Sequence, residues 1–507
     1  MSSSIIQKII LGVLLVLFSF VLGSEVSEGA KRPVLILAGL GALFAINALG
    51  KRAWVLVFIA PVVMRYLPLG ALKKISPGYL VATIVLAYYI ALSFMGYVRL
   101  KWRSVFFCDF LVFIVFGAFL AQFIRYPVGV GGLGVINGQV GGNDYIACLF
   151  ATLFYVAISC MPITFENIAK VLKWTMYITV VAAFFGAIFR GIGMGGEAME
   201  AAKSSRFTMF DHFGQNLFLM LICCNTPWQI VTSFWKSFLI AVSLICIILS
   251  GFRNLLAAAA AHWITLSCVR RQVMLVFALL SVLYGAVFAL SYSRVMLDLP
   301  LGMQRACSFL PGVKVDSAIA RDAKFSLEWR YAMWDKAMDP REGYIKDYTW
   351  GDGFGLKLDL LQRNKTLISR GVIKAGDNKT FMDYGVWHSG YIHLIHRMGY
   401  VGLVLIGFTM FVFVILALKV AYLYRRHPAA SGIWFAIIAL PTSFLLFFGS
   451  TGEASTFFGM YYAFGISKIL YVCYQEGLSA GSTPELNERG QYIPLMMREV
   501  DTSSNRV

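Results

Sequence analysis

Long apolar runs alternate with short polar connections along the whole chain, apart from one long polar stretch between residues 292 and 398. Many runs hold about 17 to 22 residues, enough for a helix rising 1.5 Å per residue to cross roughly 30 Å of hydrocarbon. A helix also satisfies its own backbone polar groups, as the interior of a bilayer requires. The pattern predicts about 12–14 transmembrane helices. The runs are 6–22, 33–49, 53–64, 79–95, 104–123, 145–159, 171–189, 210–222, 238–249, 254–268, 273–291, 399–418, 432–448 and 457–472.

Composition leads to the same class. Hydrophobic residues make up 59% of the chain and charged residues only 14%, which excludes a soluble domain of this size. The prediction is an all-α polytopic membrane protein. A net charge of +18 is compatible with nucleic-acid binding, but lysine and arginine are scattered over span ends and loops rather than gathered in one stripe. Anionic membrane lipids and phosphates are therefore the predicted partners, and nucleic acid is not.

Basic residues concentrate in short loops on one side of the predicted bundle, which the positive-inside rule assigns to the cytoplasm. They are Lys51 with Arg52, Arg99 with Lys101 and Arg103, Arg270 with Arg271, and Arg425 with Arg426. The same alternation places one large periplasmic loop between the eleventh and twelfth spans. The predicted division is an N-terminal transmembrane bundle (1–291), the periplasmic loop (292–398), C-terminal transmembrane helices (399–474) and a disordered cytoplasmic tail (475–507).

Three shorter outer segments face the large loop in this arrangement, at 125–143, 190–209 and 250–253. Arg253 lies in the last of them, at the start of the run 254–268. The first amide groups of a helix point outward there, and a guanidinium beside them makes a site for an anion such as a phosphate. The alternative is that Arg253 simply extends toward the lipid headgroups.

Two further segments carry arginine next to polar or aromatic side chains. Residues 206–216 lead from an outer loop into a span and bring Arg206 to the surface that holds Arg253. In the large loop, residues 326–339 combine charged with aromatic side chains, and at helical spacing Arg330 and Trp334 share one face. The alternative for this second segment is an amphipathic helix that lies on the membrane surface.

His388 lies where the large loop turns into a helix that continues as the span 399–418. Ser389 is placed to cap that helix, and Trp387 and Tyr391 flank the histidine. A histidine with an ordinary pKa near 6.5 is largely neutral at physiological pH and can accept a proton from a hydroxyl group. The alternative is a loop histidine without a role, as His393 and His396 nearby illustrate.

Taken in order, these features resemble the O-antigen ligase and O-antigen polymerase superfamily of bacterial envelope polysaccharide assembly, over roughly residues 206–403. The chain departs from the usual pattern at two motifs. Ser389 stands where many relatives have asparagine, and Phe252 and Asn254 flank Arg253 where serine and glycine are usual. The matching positions are Arg206 and Asn216 before a span, Ser250, Gly251 and Arg253 in a turn, Arg330 and Trp334 on a helix, the glycines Gly351, Gly353 and Gly355, and His388 with Tyr391, Gly399 and Gly402.

The resemblance implies a bacterial inner-membrane glycosyltransferase that moves a glycan from an undecaprenyl-diphosphate carrier to an acceptor sugar at the periplasmic face. It implies an inverting reaction without a nucleotide sugar, a cofactor or an obligatory metal. His388 would be the catalytic base. Arg253, Arg206 and Arg330 would bind the diphosphate, and Tyr391, Trp334 and Asn216 would contact the acceptor or sugar. A chain-length regulator is a candidate partner beside the carrier-linked donor and the glycan or lipid-linked acceptor.

Within that family, a polymerase joins carrier-linked repeat units, whereas a ligase moves the finished glycan onto lipid A core. The His-Ser-Gly-Tyr sequence at 388–391 is more similar to polymerases, so we expect a polymerase of an O-antigen or exopolysaccharide. A lipid-linked oligosaccharide flippase and a structural subunit of an envelope complex are alternatives of other classes. A transporter places ionisable residues deep in its spans, where this chain has mainly Asp109 and His262.

Overall fold

The computed structural model describes residues 44–46, 48–64, 77–129, 139–193, 210–250, 252–292, 295–299, 301–308, 310–369, 382–448 and 454–479. These residues are mostly helical. The elements are α1 (Val55–Val63), α2 (Pro77–Phe94), α3 (Phe106–Arg125), β1 (Gln139–Val140), α4 (Asn143–Cys160), α5 (Phe165–Gly193), α6 (Asp211–Cys224), α7 (Pro227–Val231), α8 (Phe234–Leu249), α9 (Arg253–Arg270), α10 (Val273–Tyr292), α11 (Val295–Asp298), α12 (Leu301–Cys307), α13 (Ser317–Met338), β2 (Leu356–Lys357), α14 (Leu358–Ser369), α15 (Gly390–Leu423), α16 (Ala430–Ile437), α17 (Ala439–Leu446), α18 (Ala454–Gly459) and α19 (Tyr461–Ser479).

Five of the described helices are long and apolar enough to cross a membrane, namely α2, α3, α4, α15 and most of α5. This confirms the predicted class of an all-α membrane protein. Other apolar runs form shorter helices in the described residues. The nine residues of α1, for example, extend over only about 14 Å. The run 6–22 and the tail from residue 480 onward lie outside the described residues, so the total of 12–14 spans stays a prediction.

The core of the bundle forms where the apolar helices pack side by side. Helix α4 contacts both α2 and α19, and α15 packs on α3 and α19. One continuous cluster of buried apolar side chains runs through these helices and includes Tyr155, Phe413 and Phe464. The rings of Phe413 and Phe464 stack with centroids 4.2 Å apart, which fixes α15 against α19.

A buried ion pair crosses the bundle between α3 and α19. The Nζ atom of Lys468 lies 2.5 Å from Oδ1 of Asp109, and both side chains are almost fully buried. Tyr155 donates its hydroxyl to the same carboxylate oxygen at 2.8 Å, and Lys468 also donates to Oγ of Ser159 at 2.7 Å. Asp109, one of the two deep ionisable residues that the sequence singles out, is therefore neutralised by a lysine and satisfied by hydroxyl groups.

Helices occupy much of the described part of the long polar stretch 292–398. The 22-residue helix α13 is the longest of them. The stretch also adds β2, which pairs antiparallel with β1 of the segment 125–143, predicted to be an outer segment. Helix α15 starts at Gly390, inside the predicted loop, and its backbone breaks at Gly399 (φ 66°, ψ −172°). The predicted start of the span at Gly399 coincides with this break.

Candidate active site

A chain of helix contacts connects the region of Arg253 to the region of His388. Helix α9, which begins at Arg253, packs on the short helix α12. Helix α12 packs on α13, and α13 packs on α15. Because α12 and α13 both belong to the long polar stretch, this part of the chain lies between the two predicted halves of the site.

Aromatic side chains fix α13 on the start of α15. The indole nitrogen of Trp334 donates to the carbonyl of Trp387 at 2.7 Å, and the rings of Trp334 and Tyr391 meet edge to face with centroids 5.9 Å apart. Met333 and Trp387 are buried in the same small apolar cluster. The face of α13 that carries Met333 and Trp334 therefore packs on protein, whereas Phe325 and Tyr331 on the same helix are exposed.

His388 lies beside this cluster in an uncommon backbone conformation. Its ring centroid is 5.6 Å from that of Trp329, and the residue is half-buried. Its φ is 50°, in the left-handed region, which costs a non-glycine residue about 1–2 kcal/mol. The bond from Trp334 to the carbonyl of Trp387 anchors the chain just before the histidine. Strain of this kind is retained where the surroundings hold the residue in place, and it recurs at functional sites.

The prediction that the Ser389 side chain caps the helix is wrong. Ser389 occupies the N-cap position of α15, but its side chain makes no capping hydrogen bond. Its hydroxyl instead donates to the carbonyl of Phe448 at 3.2 Å, and the residue is fully buried. Tertiary packing brings the carbonyl of Phe448 within reach of the Ser389 hydroxyl, which accepts no hydrogen bond from the backbone N–H groups at the start of α15. Ser389 thus anchors the chain just after His388 to the C-terminal helices.

The other half of the site is a group of three arginines, Arg253, Arg305 and Arg330, which we call the arginine cluster. Burial first, and then the positive charges of Arg305 and Arg330, lower the pKa of the Arg253 guanidinium. Burial and the charge of Arg305 likewise lower the pKa of Arg330. Asp322 forms an ion pair with Arg305 and opposes the shift at Arg253. Arginine stays protonated in proteins, so positive charge exceeds negative charge here.

Arg330 has a further property that suits anion binding. Its Nε atom is buried and has no hydrogen-bond partner within the described ranges of the chain. A buried donor left without an acceptor costs about 1–3 kcal/mol. An anion bound beside α13 would supply that acceptor and would also reduce the repulsion among the three guanidinium groups.

Helix α13 joins the two halves through consecutive residues. Trp329 meets the ring of His388, while Arg330, the next residue, belongs to the arginine cluster. The structure therefore connects His388, Trp334 and Tyr391 through α13 to Arg253 and Arg330. A base and a positive cluster that flank one helix could act on the two ends of a single phosphate-linked substrate.

The glycine-rich stretch 351–355 packs against the break in α15. Gly351 has a φ of 79°, and a Cβ there would lie 2.3 Å from the backbone nitrogen of Met398. The buried guanidinium of Arg397 donates to the carbonyls of Gly353 and Gly355, both at 3.1 Å. Gly351 is therefore needed for close approach to the backbone of α15, whereas a Cβ at Gly353 or Gly355 would meet side chains. The stretch supports the helix that follows His388.

His396 and Gln122 complete this support. The indole nitrogen of Trp387 donates to Nδ1 of His396 at 3.2 Å, so that ring nitrogen carries no proton in this arrangement. The side-chain amide of Gln122 donates to the carbonyl of Arg397 at 2.8 Å and to that of Trp350 at 3.0 Å. His396 therefore orients the residue just before His388, and Gln122 ties α3 to the break in α15.

Two of the predicted site residues are not placed with the others. Arg206 lies outside the described residues, as does the segment 194–209. Asn216 lies on α6 and donates to the carbonyl of His212, one turn earlier in the same helix. Within the described part of the chain, no group of three or more histidine, cysteine, aspartate or glutamate side chains is arranged to hold a metal ion.

Sequence reasoning did not identify Arg305 or Arg397. Arg305 lies in a short helix with no motif around it, and only the contacts of α12 with α9 and α13 reveal its place. Arg397 lies directly before an apolar run, where basic residues are common, so the sequence carried no signal for its burial. In the structure Arg397 is 5% exposed and is satisfied by backbone carbonyls.

Comparison with known protein families and with curated proteins finds no family model and no curated protein that match this chain. A functional assignment therefore depends on the sequence resemblance and on the geometry of the site.

Proposed function

We propose that this protein is a glycosyltransferase of the bacterial inner membrane that polymerises undecaprenyl-diphosphate-linked repeat units of an O-antigen or exopolysaccharide at the periplasmic face. One observation supports the proposal above all others. Helix α13 contacts His388 through Trp329 and contributes the next residue, Arg330, to the arginine cluster. This arrangement offers a base and a diphosphate site to one substrate.

The reaction would be a single displacement. The hydroxyl oxygen of the acceptor sugar forms a bond to the anomeric carbon of the donor, and His388 takes the hydroxyl proton. The bond between that carbon and the diphosphate oxygen breaks, and its electron pair stays on the diphosphate. Arg253, Arg330 and Arg305 stabilise the charge that develops there. Attack from the face opposite the leaving group inverts the anomeric configuration.

The remaining residues would position the substrates. Tyr391 and Trp334 present aromatic faces beside His388, and sugars commonly pack on such faces. Arg206 and Asn216 are expected to extend the diphosphate and acceptor contacts, as the resemblance implies. The strained backbone of His388 would hold the imidazole toward the acceptor without a large change in conformation.

The test is glycan transfer by the purified full-length protein in vitro, with a carrier-linked repeat unit as donor. Replacement of His388 by Asn is the most informative variant, because asparagine tolerates the left-handed backbone but cannot act as a base. We expect kcat to fall by about 10²–10⁴ for His388→Asn. For Arg330→Gln we expect transfer to fall about tenfold to a hundredfold.

Arg363→Gln is the matched control, because Arg363 is an exposed arginine of the same polar stretch, on α14. It should leave transfer unchanged. Transfer that survives in His388→Asn at the wild-type rate would refute the catalytic role of the histidine. Products of increasing length would identify a polymerase, whereas consumption of lipid A core would identify a ligase. Translocation of the donor without any transfer would instead identify a flippase.

A further inference from the structure

A second positively charged site lies at the other end of the bundle. The 18 residues of α9 extend over roughly 27 Å, so Arg270 at its C-terminal end lies far from Arg253 at its start. There a cavity of about 460 Å³ opens between α6, α9 and the turn that follows α15. Its lining includes Arg270, Arg271, Arg425, Arg426 and Trp434. We call this the basic cavity.

Arg270 forms part of the wall of the basic cavity. Its guanidinium donates to the carbonyls of Ile222, Cys223 and Asn225 at 2.6–2.7 Å, at the C-terminal end of α6. It also lies over the ring of Trp434, 4.5 Å from the centroid. These bonds satisfy the last carbonyls of a helix, so Arg270 has a clear structural role.

The other three arginines of the cavity do not donate to the carbonyls at the end of a helix as Arg270 does. Arg425 lies over the ring of Tyr422 at 3.9 Å, and its Nη1 atom is buried without a hydrogen-bond partner in the described ranges. Arg271 donates to the hydroxyl of Tyr422 at 2.9 Å and is otherwise exposed. Arg426 is exposed at the mouth of the cavity. Several guanidinium donors therefore remain for a ligand.

The charge of the cavity lining is strongly one-sided. The four arginines contribute four positive charges, and the lining that the structure describes contains no aspartate or glutamate. Nδ1 of His427 accepts from the backbone N–H of Ala429 at 3.1 Å, which is an arrangement of the neutral imidazole. Like charges held together at a cavity without a counter-ion repel one another, and an anion would relieve that repulsion.

The backbone of Arg271 adds an independent observation. It ends α9 in the left-handed conformation, with φ 60° and ψ 36°. Glycine is preferred at this position because a side chain there is strained by about 1–2 kcal/mol. Arginine at this position places its own positive charge at the cavity, although the strained backbone lowers stability.

We propose that the basic cavity binds a phosphate group, either the headgroup of an anionic phospholipid or a soluble phosphate compound. Its size lies within the 300–1,000 Å³ typical of small-ligand sites. Planar guanidinium groups bind phosphate oxygens in pairs, which distinguishes such a site from simple attraction to a charged surface. The cavity lies on the side predicted to be cytoplasmic and is independent of the proposed glycosyltransferase site.

Two binding measurements on the full-length protein distinguish the sources. In one, the protein in phosphatidylcholine nanodiscs is titrated with inorganic pyrophosphate in a calorimeter. In the other, the delipidated protein is titrated with phosphatidylglycerol or with phosphatidylcholine, and bound lipid is counted by native mass spectrometry. We expect saturable binding of pyrophosphate, of phosphatidylglycerol or of both, weakened about tenfold by Arg425→Gln.

Arg99→Gln is the matched control, because it removes an exposed arginine on the same predicted side but away from the cavity. It should leave both affinities unchanged. If Arg425→Gln does not fold, Arg426→Gln at the cavity mouth gives the same comparison. Binding that does not saturate with either ligand, or a loss of affinity that is equal in Arg425→Gln and Arg99→Gln, would refute the site. Neither outcome depends on glycan transfer.

Discussion

Replacement of Lys468 by Met should destabilise the protein strongly. The ammonium group is fully buried and lies 2.5 Å from Oδ1 of Asp109, whose side chain is only 9% exposed. Without Lys468 the carboxylate would keep the hydroxyls of Tyr155 and Ser104 but lose its counter-charge. Removing one partner of a buried ion pair typically costs about 3–5 kcal/mol, and we expect a loss of unfolding free energy of this size.

The assay is unfolding of the purified protein in mixed micelles, followed by tryptophan fluorescence. Lys419→Met is the matched control. Lys468 lies over the ring of Tyr155, 4.5 Å from its centroid, and Lys419 lies over the ring of Tyr471 at 4.7 Å. Lys419 is exposed, so its replacement should cost at most about 0.5 kcal/mol. The double variant Lys468→Met with Asp109→Leu removes both charges and should recover most of the loss.

Equal stability of Lys468→Met and Lys419→Met would refute the buried ion pair. A double variant no more stable than Lys468→Met would show that the cost comes from packing and not from the charge left on Asp109.

The same double variant separates the enzyme from the flippase alternative. If the Lys468 and Asp109 pair only stabilises the bundle, the refolded double variant should retain glycan transfer. Neither residue lies on α9, α12, α13 or α15, the helices whose contacts connect Arg253 to His388. A transporter that moves a charged substrate uses ionisable groups within its spans. A double variant of normal stability that no longer translocates the donor would therefore favour the flippase, whereas retained glycan transfer would support the enzyme.

Two further predictions concern the region around His388. Gly399→Ala should destabilise the protein by about 3 kcal/mol, because φ is 66° and a Cβ would lie 2.1 Å from the carbonyl oxygen of Thr349. Gly407→Ala, in the same helix, is the control. It should be neutral or slightly stabilising in the same unfolding assay. Backbone N–H groups, that of Trp350 foremost, and the Arg125 guanidinium hold the pKa of Asp347 below its ordinary value. The stability that Asp347 contributes should be complete above pH about 3.9 and lost as the pH falls through the lower pKa of the folded state. Asp347→Asn should therefore flatten the acid limb of a plot of melting temperature against pH. An acid limb unchanged from wild type would contradict this prediction.

Much of the architecture could be predicted from local pattern. The length of an apolar run determines whether a helix can cross a bilayer, so α2, α3, α4, α5 and α15 follow from runs that the sequence shows directly. The positions of His388 and Arg253 beside predicted helix ends, and of Arg330 on a helical face shared with Trp334, were also visible in the sequence. These properties depend on a residue and its neighbours within a few turns.

The amino-acid sequence by itself determined that the chain is a helical membrane protein with arginines and a histidine gathered near the ends of its helices. Only the tertiary structure decided which of these residues meet. Lys468 and Asp109 are separated by 359 positions, and Arg305 joins the arginine cluster through a helix that no motif marks. The physical reason is that periodicity reports which face of a helix is buried, whereas partner choice depends on packing between helices distant in the chain.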